Sequence, residues 1–101
     1  MSGSQKAAWS FTTQVWREGS WHFVTVPEDV SDEVDAVVGD ATGGFGSVRV
    51  EVTIGASVWR TSLFPSTERG AYVLPVKKAV RTSERLDDGA PAEVDIRLVE
   101  R

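Results

Sequence analysis

The chain contains no cysteine among its 101 residues. Disulfide bonds, thiolate nucleophiles and zinc sites built from Cys ligands are therefore excluded. His22 is the only histidine, and a lone histidine without clustered carboxylates makes a poor metal site. The sequence therefore predicts no metal and no cofactor, and it predicts an ordinary strand position for His22.

Long apolar runs are also missing. No stretch reaches the roughly 18 apolar residues that a membrane-spanning helix requires. The first residues, MSGSQKAAWSF, lack the basic start and apolar centre of a secretion signal. Because the lack of cysteine also fits a reducing compartment, we expect a cytoplasmic protein that makes no membrane contact.

The composition that remains is that of a soluble globular protein. Hydrophobic residues make up 41% and charged residues 26% of the chain, far from the composition of disordered proteins. A chain of this size can bury one hydrophobic core. We therefore predict a single domain over residues 1–101, with its core at about residues 9–99.

Charge is divided unevenly along the chain. The net charge is −4, yet acids dominate up to residue 45, and residues 69–85 carry five basic side chains against one glutamate. A globally acidic protein has no general attraction to nucleic acid. The simplest interpretation is that the two surfaces keep the domain soluble or pair within a homo-oligomer. A functional anion site is the alternative.

Alternating apolar residues predict six strands, at 9–16, 21–26, 47–54, 58–64, 71–74 and 92–100. Pro27 and Pro75 each end a strand and introduce a helix. The first helix carries an apolar stripe and is predicted to end at Gly39. The glycine-rich segment 41–47 leads from a helix into a strand, the reverse of a phosphate loop, so we interpret it as a connection.

The chain repeats itself at an offset of 48 residues, which aligns Val26 with Leu74 and Pro27 with Pro75. Two similar ββαβ halves related by a pseudo-two-fold axis follow from this repeat. Because an open sheet would leave its edges exposed, we predict a mainly β fold, a small closed six-stranded barrel capped at its ends by two short helices. Most of the four tryptophans are expected in the core or at its rim, and a ligand site made of Trp9, Trp16, Trp21 or Trp59 is the less favoured alternative.

Several motifs together resemble the DUF1905 family over about residues 9–99: WHFVTVP, GFGSVRVEVTIG, WRTSLFP, GAYVLPVKKAVR and DDGAPAEVDIRL. The resemblance implies a double-split β-barrel, a fold class that also contains bacterial transition-state regulators and antitoxin DNA-binding domains. The family has no assigned function, so the resemblance implies no catalytic residue. At Ala90-Pro91 the chain departs from the family's Gly-Asp-hydrophobic pattern and lacks a carboxylate at that turn.

No catalytic set is recognisable, because Ser62 would need a positioned base and His22 is the sole candidate. We therefore expect no enzymatic activity. The candidate ligand-binding residues are Arg60, Ser62, Lys77, Lys78 and Arg81. Lys77 and Lys78 are predicted in the first turn of a basic helix at 76–85, where free N–H groups favour an anion. Arg81 is predicted on the same face as Lys77.

Three functions are compatible with these residues. The first is a noncatalytic domain that binds a protein partner or a small anionic ligand through the basic helix and the adjacent strand. The alternative is a DNA-binding regulator acting as a dimer, which the acidic net charge disfavours. The third is an enzyme of unknown class. The chain is expected to be a monomer or a homodimer, and the same cations also suit a solvated covering of one barrel end.

Overall fold

The computed structural model describes residues 7–39 and 46–99. Its elements, in chain order, are β1 (Ala8–Glu18), β2 (Trp21–Thr25), α1 (Glu28–Val38), β3 (Val48–Ile54), β4 (Ser57–Ser66), β5 (Ala71–Pro75), α2 (Lys78–Glu84) and β6 (Pro91–Leu98). All six strand pairs are antiparallel, and the sheet closes in the order β1-β2-β5-β4-β3-β6. The predicted mainly β fold, a closed six-stranded barrel with two helices, is confirmed.

Aliphatic side chains fill the barrel. Strand β3 alternates as predicted, because Val48, Val50, Val52 and Ile54 are buried while the residues between them face outward. The largest fully buried side chains, contributed by all six strands, α1 and the connection between β2 and α1, are Leu63, Leu74, Ile96, Val15, Val24, Val26, Val34, Val50, Val52 and Val94. Each contributes about 2 kcal/mol relative to an exposed position, so the interior is a packed core.

Two strand pairs carry the pseudo-two-fold axis that the sequence repeat predicts. In the β2–β5 pair Thr25 lies opposite Val73, and in the β3–β6 pair Val50 lies opposite Leu98. Both pairs join positions 48 residues apart. Each of these residues therefore pairs with its own counterpart in the other half. A pseudo-two-fold axis that passes through the β2–β5 and β3–β6 pairs requires this pairing.

The repeat is less regular in β1 and β4. Ile96 pairs with Trp9, whereas Val48, the counterpart of Ile96, pairs with Leu63 and not with Ser57. The difference arises because β3 and β4 are joined by a two-residue turn, which fixes their register. No turn links β1 and β6, so packing alone sets their register.

Helix α1 follows Pro27 and lays its apolar stripe on the barrel. Val30 and Val34 are buried, and Gly39 ends the helix with a positive φ of 51°, as predicted. Ser31 is also buried, which the apolar pattern did not predict. The predicted glycine-rich connection at 41–47 lies, apart from its last two residues, outside the described residues.

Helix α2 is shorter than the predicted helix at 76–85. Val76 N donates to His22 O at 2.9 Å, and Lys77 has an extended backbone (φ −72°, ψ 159°). The chain after Pro75 therefore still follows β2, and the helix begins only at Lys78. It ends at Glu84, because Arg85 adopts a left-handed φ of 57° that turns the chain towards the core.

The two helices leave the barrel at opposite ends. Each follows one strand of the antiparallel β2–β5 pair, α1 after β2 and α2 after β5. Helix α1 packs mainly against β5 and α2 against β4. Neither of these helices, of 11 and 7 residues, has the length and apolar character needed to cross a membrane.

Candidate functional site

A groove lies at the barrel end from which α2 departs. It is lined by Trp21, Trp59, Arg60, Thr61, Pro75, Val76 and Lys77 and has a volume of about 270 Å³. We call it the basic groove. Strands β2, β4 and β5 bring these side chains together because β5 lies between β2 and β4 in the closed sheet. Its walls are mostly apolar, and its two charges are both positive.

The two cations of the basic groove differ in their surroundings. Lys77 is exposed, and no hydrogen bond or ion pair reaches its ammonium group from any residue of the described part. Arg60 Nε lies 3.9 Å from Glu51 Oε2, with 59% of the Arg60 side chain exposed. An exposed contact of this length contributes little, so both cations can interact with a further group.

Glu51 has a stronger partner on the neighbouring strand. Arg97 donates a hydrogen bond to its carboxylate. This bond, assisted by the charges of Arg97 and Arg60, holds the pKa of Glu51 below its ordinary value. Glu51 is therefore committed mainly to Arg97, and it neutralises Arg60 only weakly.

The structure brings together two of the five predicted ligand-binding residues, Arg60 and Lys77. Lys78 is exposed but does not line the groove. Ser62 accepts a hydrogen bond from Arg49 at 3.4 Å. Arg81 is turned back, and its Nε donates to Val76 O at 3.2 Å. Contrary to the prediction, Lys77 is not in the first turn of the helix but is its N-cap, and Arg81 N donates to Lys77 O at 3.1 Å.

Five of the seven groove residues were not among the predicted ligand-binding residues, and Trp21 is the most exposed of the apolar ones. Its side chain is 64% exposed, unlike the core or rim position expected for most of the tryptophans. The alternation of β2 contained the signal, because Val24 is buried and Trp21 and Phe23 must then face outward. The other three tryptophans follow the expectation more closely: Trp9 is buried, and Trp16 and Trp59 are half-buried.

Two larger depressions lie on the outer face of β1, β3 and β6, with volumes of about 540 and 420 Å³. Several of their polar side chains already bond to one another, as Ser10 does to Asp95 and Arg97 to Glu51. We therefore give them less weight than the smaller basic groove, whose cations remain available.

A further depression of about 340 Å³ lies between α1 and the β4–β5 turn. It contains Tyr72, whose hydroxyl donates to Asp35 Oδ1 at 2.5 Å. Burial, together with the hydrogen bond and charge of Asp35, raises the pKa of Tyr72 above its ordinary value. The phenol therefore stays protonated, and its hydrogen bond fastens α1 to β5.

The groove offers binding groups and few reactive ones. Among the described residues that line it there is no carboxylate, and the only hydroxyl is that of Thr61. His22, next to Trp21, has a buried Nδ1 without a hydrogen-bond partner among the described residues. Across residues 7–39 and 46–99 no group of three His, Asp or Glu side chains is placed to hold a metal ion. This arrangement suits recognition of an anion better than acid–base chemistry.

Comparison with known proteins assigns the family. No curated protein matches the chain significantly. The sequence profile of one family, described as a domain of unknown function, matches residues 11–96. That match covers most of the chain, including all of β2 to β5 and most of β1 and β6. The chain therefore belongs to the domain of unknown function family DUF1905.

Proposed function

We propose that this chain is a noncatalytic binding domain whose basic groove takes a small anionic ligand with an apolar body. One observation carries the proposal: Lys77 and Arg60 stand beside Trp21 and Trp59 in a single groove. Indole rings and a proline offer flat apolar surface for the ligand body. The two cations would hold a carboxylate or phosphate group.

The surroundings of the groove support binding over catalysis. General acid–base chemistry needs a titratable group within hydrogen-bond reach of the substrate. The lining residues offer a lysine and an arginine, both of which are cationic near neutral pH. They contribute charge and hydrogen-bond donors, and these are the groups that fix an anion.

The DNA-binding alternative receives less support. Phosphate backbones are held by rows of unpaired Lys and Arg side chains. Arg97 is hydrogen-bonded to Glu51, and Arg81 bonds to the backbone. Lys77 and Lys78 are two adjacent cations on a chain of net charge −4. Two adjacent cations form a small basic surface for binding a DNA duplex.

Calorimetric titration with phenyl phosphate and 1-naphthoate tests the proposal, with uncharged phenol as the comparison ligand. The indole N–H resonances of Trp21 and Trp59 report whether each ligand enters the groove. Lys77→Glu should weaken binding about tenfold, because a hydrogen bond to a charged group is replaced by repulsion. Lys78→Glu is the matched control, since it makes the same charge change one residue away, outside the groove.

Binding of both anions but not of phenol, with loss in the Lys77 variant alone, would support the proposal. If the two variants weakened binding equally, the anions would be held by general electrostatic attraction and not by the groove, and the proposal would be overturned. Unchanged Trp21 and Trp59 resonances would also overturn it. Salt-dependent binding of random duplex DNA, without binding of the small anions, would favour the DNA alternative instead.

A further inference from the structure

A column of stacked aromatic rings covers the outer face of β1 and β2. Trp16 stacks on Phe23 with ring centroids 4.7 Å apart, and Phe23 stacks on Trp21 at 6.3 Å. The guanidinium of Arg69 lies 3.6 Å above the Trp16 ring. On β4, Phe64 faces the same side of the sheet and is 45% exposed. We call Trp16, Trp21, Phe23 and Phe64 the aromatic face.

This face lies outside the core and exposes apolar surface. Its residues alternate with buried Val15 and Val24, so they point away from the barrel interior. Trp21 alone leaves 64% of its surface in contact with solvent. Contiguous exposed apolar surface of this kind often marks an interaction site.

The two ends of the aromatic face carry opposite charges. Glu28 and Asp29 begin α1 just after β2, and α1 contains no basic residue in its last turn. Lys77 and Lys78 follow β5 at the other end. Because β2 and β5 are antiparallel, these pairs of charges flank the face on opposite sides. Asp29 and Lys77 are counterparts, 48 positions apart in the two halves.

We propose that a second copy of this chain covers the aromatic face, with the two barrels antiparallel. In that arrangement the acidic end of each copy meets the basic end of the other, twice in one two-fold dimer. At the basic end the opposite charges of Arg17 and Glu18 cancel. The net charge there is therefore positive, because Arg60, Lys77 and Lys78 remain. A parallel dimer would place like charges together and is disfavoured.

Apolar burial supplies the attraction in this dimer, and the charges select its orientation. Exposed ion pairs contribute little individually, whereas aromatic side chains dominate interface energies. The dimer shares Trp21 and Lys77 with the basic groove, but it does not depend on ligand binding. The proposed dimer and the proposed anion binding can therefore be refuted independently of each other.

Sedimentation equilibrium over a wide range of protein concentration, without ligand, tests the dimer. Lys77→Glu/Lys78→Glu and Glu28→Lys/Asp29→Lys should each weaken dimerisation about tenfold or more, because both ends then carry like charges. An equimolar mixture of the two variants should restore dimerisation, since every end again meets its opposite. Trp21→Ser should also weaken it, with circular dichroism confirming that each variant is folded.

A wild-type chain that sediments as a monomer at every concentration would overturn the proposal. So would charge variants that dimerise as well as wild type, because a parallel arrangement is insensitive to these reversals. A mixture that fails to recover would do the same. Lys78→Glu alone separates the two proposals: it should weaken the dimer and, at protein concentrations where both wild type and variant are monomeric, leave the affinity of the basic groove for phenyl phosphate unchanged.

Discussion

Ser31 is buried in α1 and joins this helix to β5 and to the connection after β2, and its replacement by alanine gives the most direct test of the fold. The side chain is 4% exposed. Its Oγ donates to Val26 O at 3.2 Å and accepts from Tyr72 N at 3.1 Å. Ser31→Ala would leave a buried backbone N–H and a carbonyl without these partners.

Two effects of Ser31→Ala oppose each other. Alanine is the better helix former, which contributes about 0.5 kcal/mol in favour of the variant. Leaving a buried donor unsatisfied costs about 1–3 kcal/mol. The hydrogen-bond effect is the larger, so we expect a net loss of about 1.5 kcal/mol in the free energy of unfolding. For a domain of this size that loss lowers the melting temperature by about 10 °C.

Urea unfolding followed by circular dichroism measures the change. Ser83→Ala is the matched control, because Ser83 is an exposed residue of α2 and makes no side-chain hydrogen bond within the described residues. The control should leave the free energy of unfolding unchanged or raise it slightly. If Ser31→Ala proved as stable as Ser83→Ala, the two hydrogen bonds would contribute nothing net and the reasoning would fail.

Two further predictions concern a hydroxyl and a turn. Tyr72→Phe removes the hydrogen bond to Asp35 and should cost about 1 kcal/mol at neutral pH. Because the folded state raises the Tyr72 pKa, wild-type stability should fall as pH rises above about 10, the unfolded value. Urea unfolding should therefore show the gap between the two proteins narrowing there, and a constant gap would contradict this assignment. Gly55→Ala should destabilise the chain more than Gly70→Ala: both have positive φ, 59° and 65°, but only Gly55 has a neighbour, the Glu84 carboxylate, where a Cβ would lie. The excess should vanish in a Glu84→Ala background, and its persistence would exclude that contact as the cause.

Much of the fold could be predicted because it depends on patterns that the chain repeats. Alternation in β3 predicted Val50 and Val52 inside, and a closed barrel was the most economical way to protect the edges of six strands. The offset of 48 residues reappears in the facing pair Thr25 and Val73. These features follow from periodicity, which local sequence encodes directly.

The limits of α2 could not be predicted, because they depend on contacts with distant residues. A proline and two lysines suggested a helix from residue 76, but Val76 N bonds to His22 O on β2. The exposure of Trp21 was missed for a related reason. Aromatic residues usually fill cores, and only the register of β2 decides that this one faces outward.

Comparison of the two halves separates what the fold requires from what it leaves free. Pro27 and Pro75 are counterparts, and both end a strand before a helix, so the shared architecture accounts for them. Lys77 and Trp21 have Asp29 and Arg69 as their counterparts at the same offset, so neither residue type is required by the architecture. The basic groove and the charge difference along the aromatic face arise at these unequal positions. Substitutions there should alter binding or association more than stability, the reverse of what we expect at Ser31.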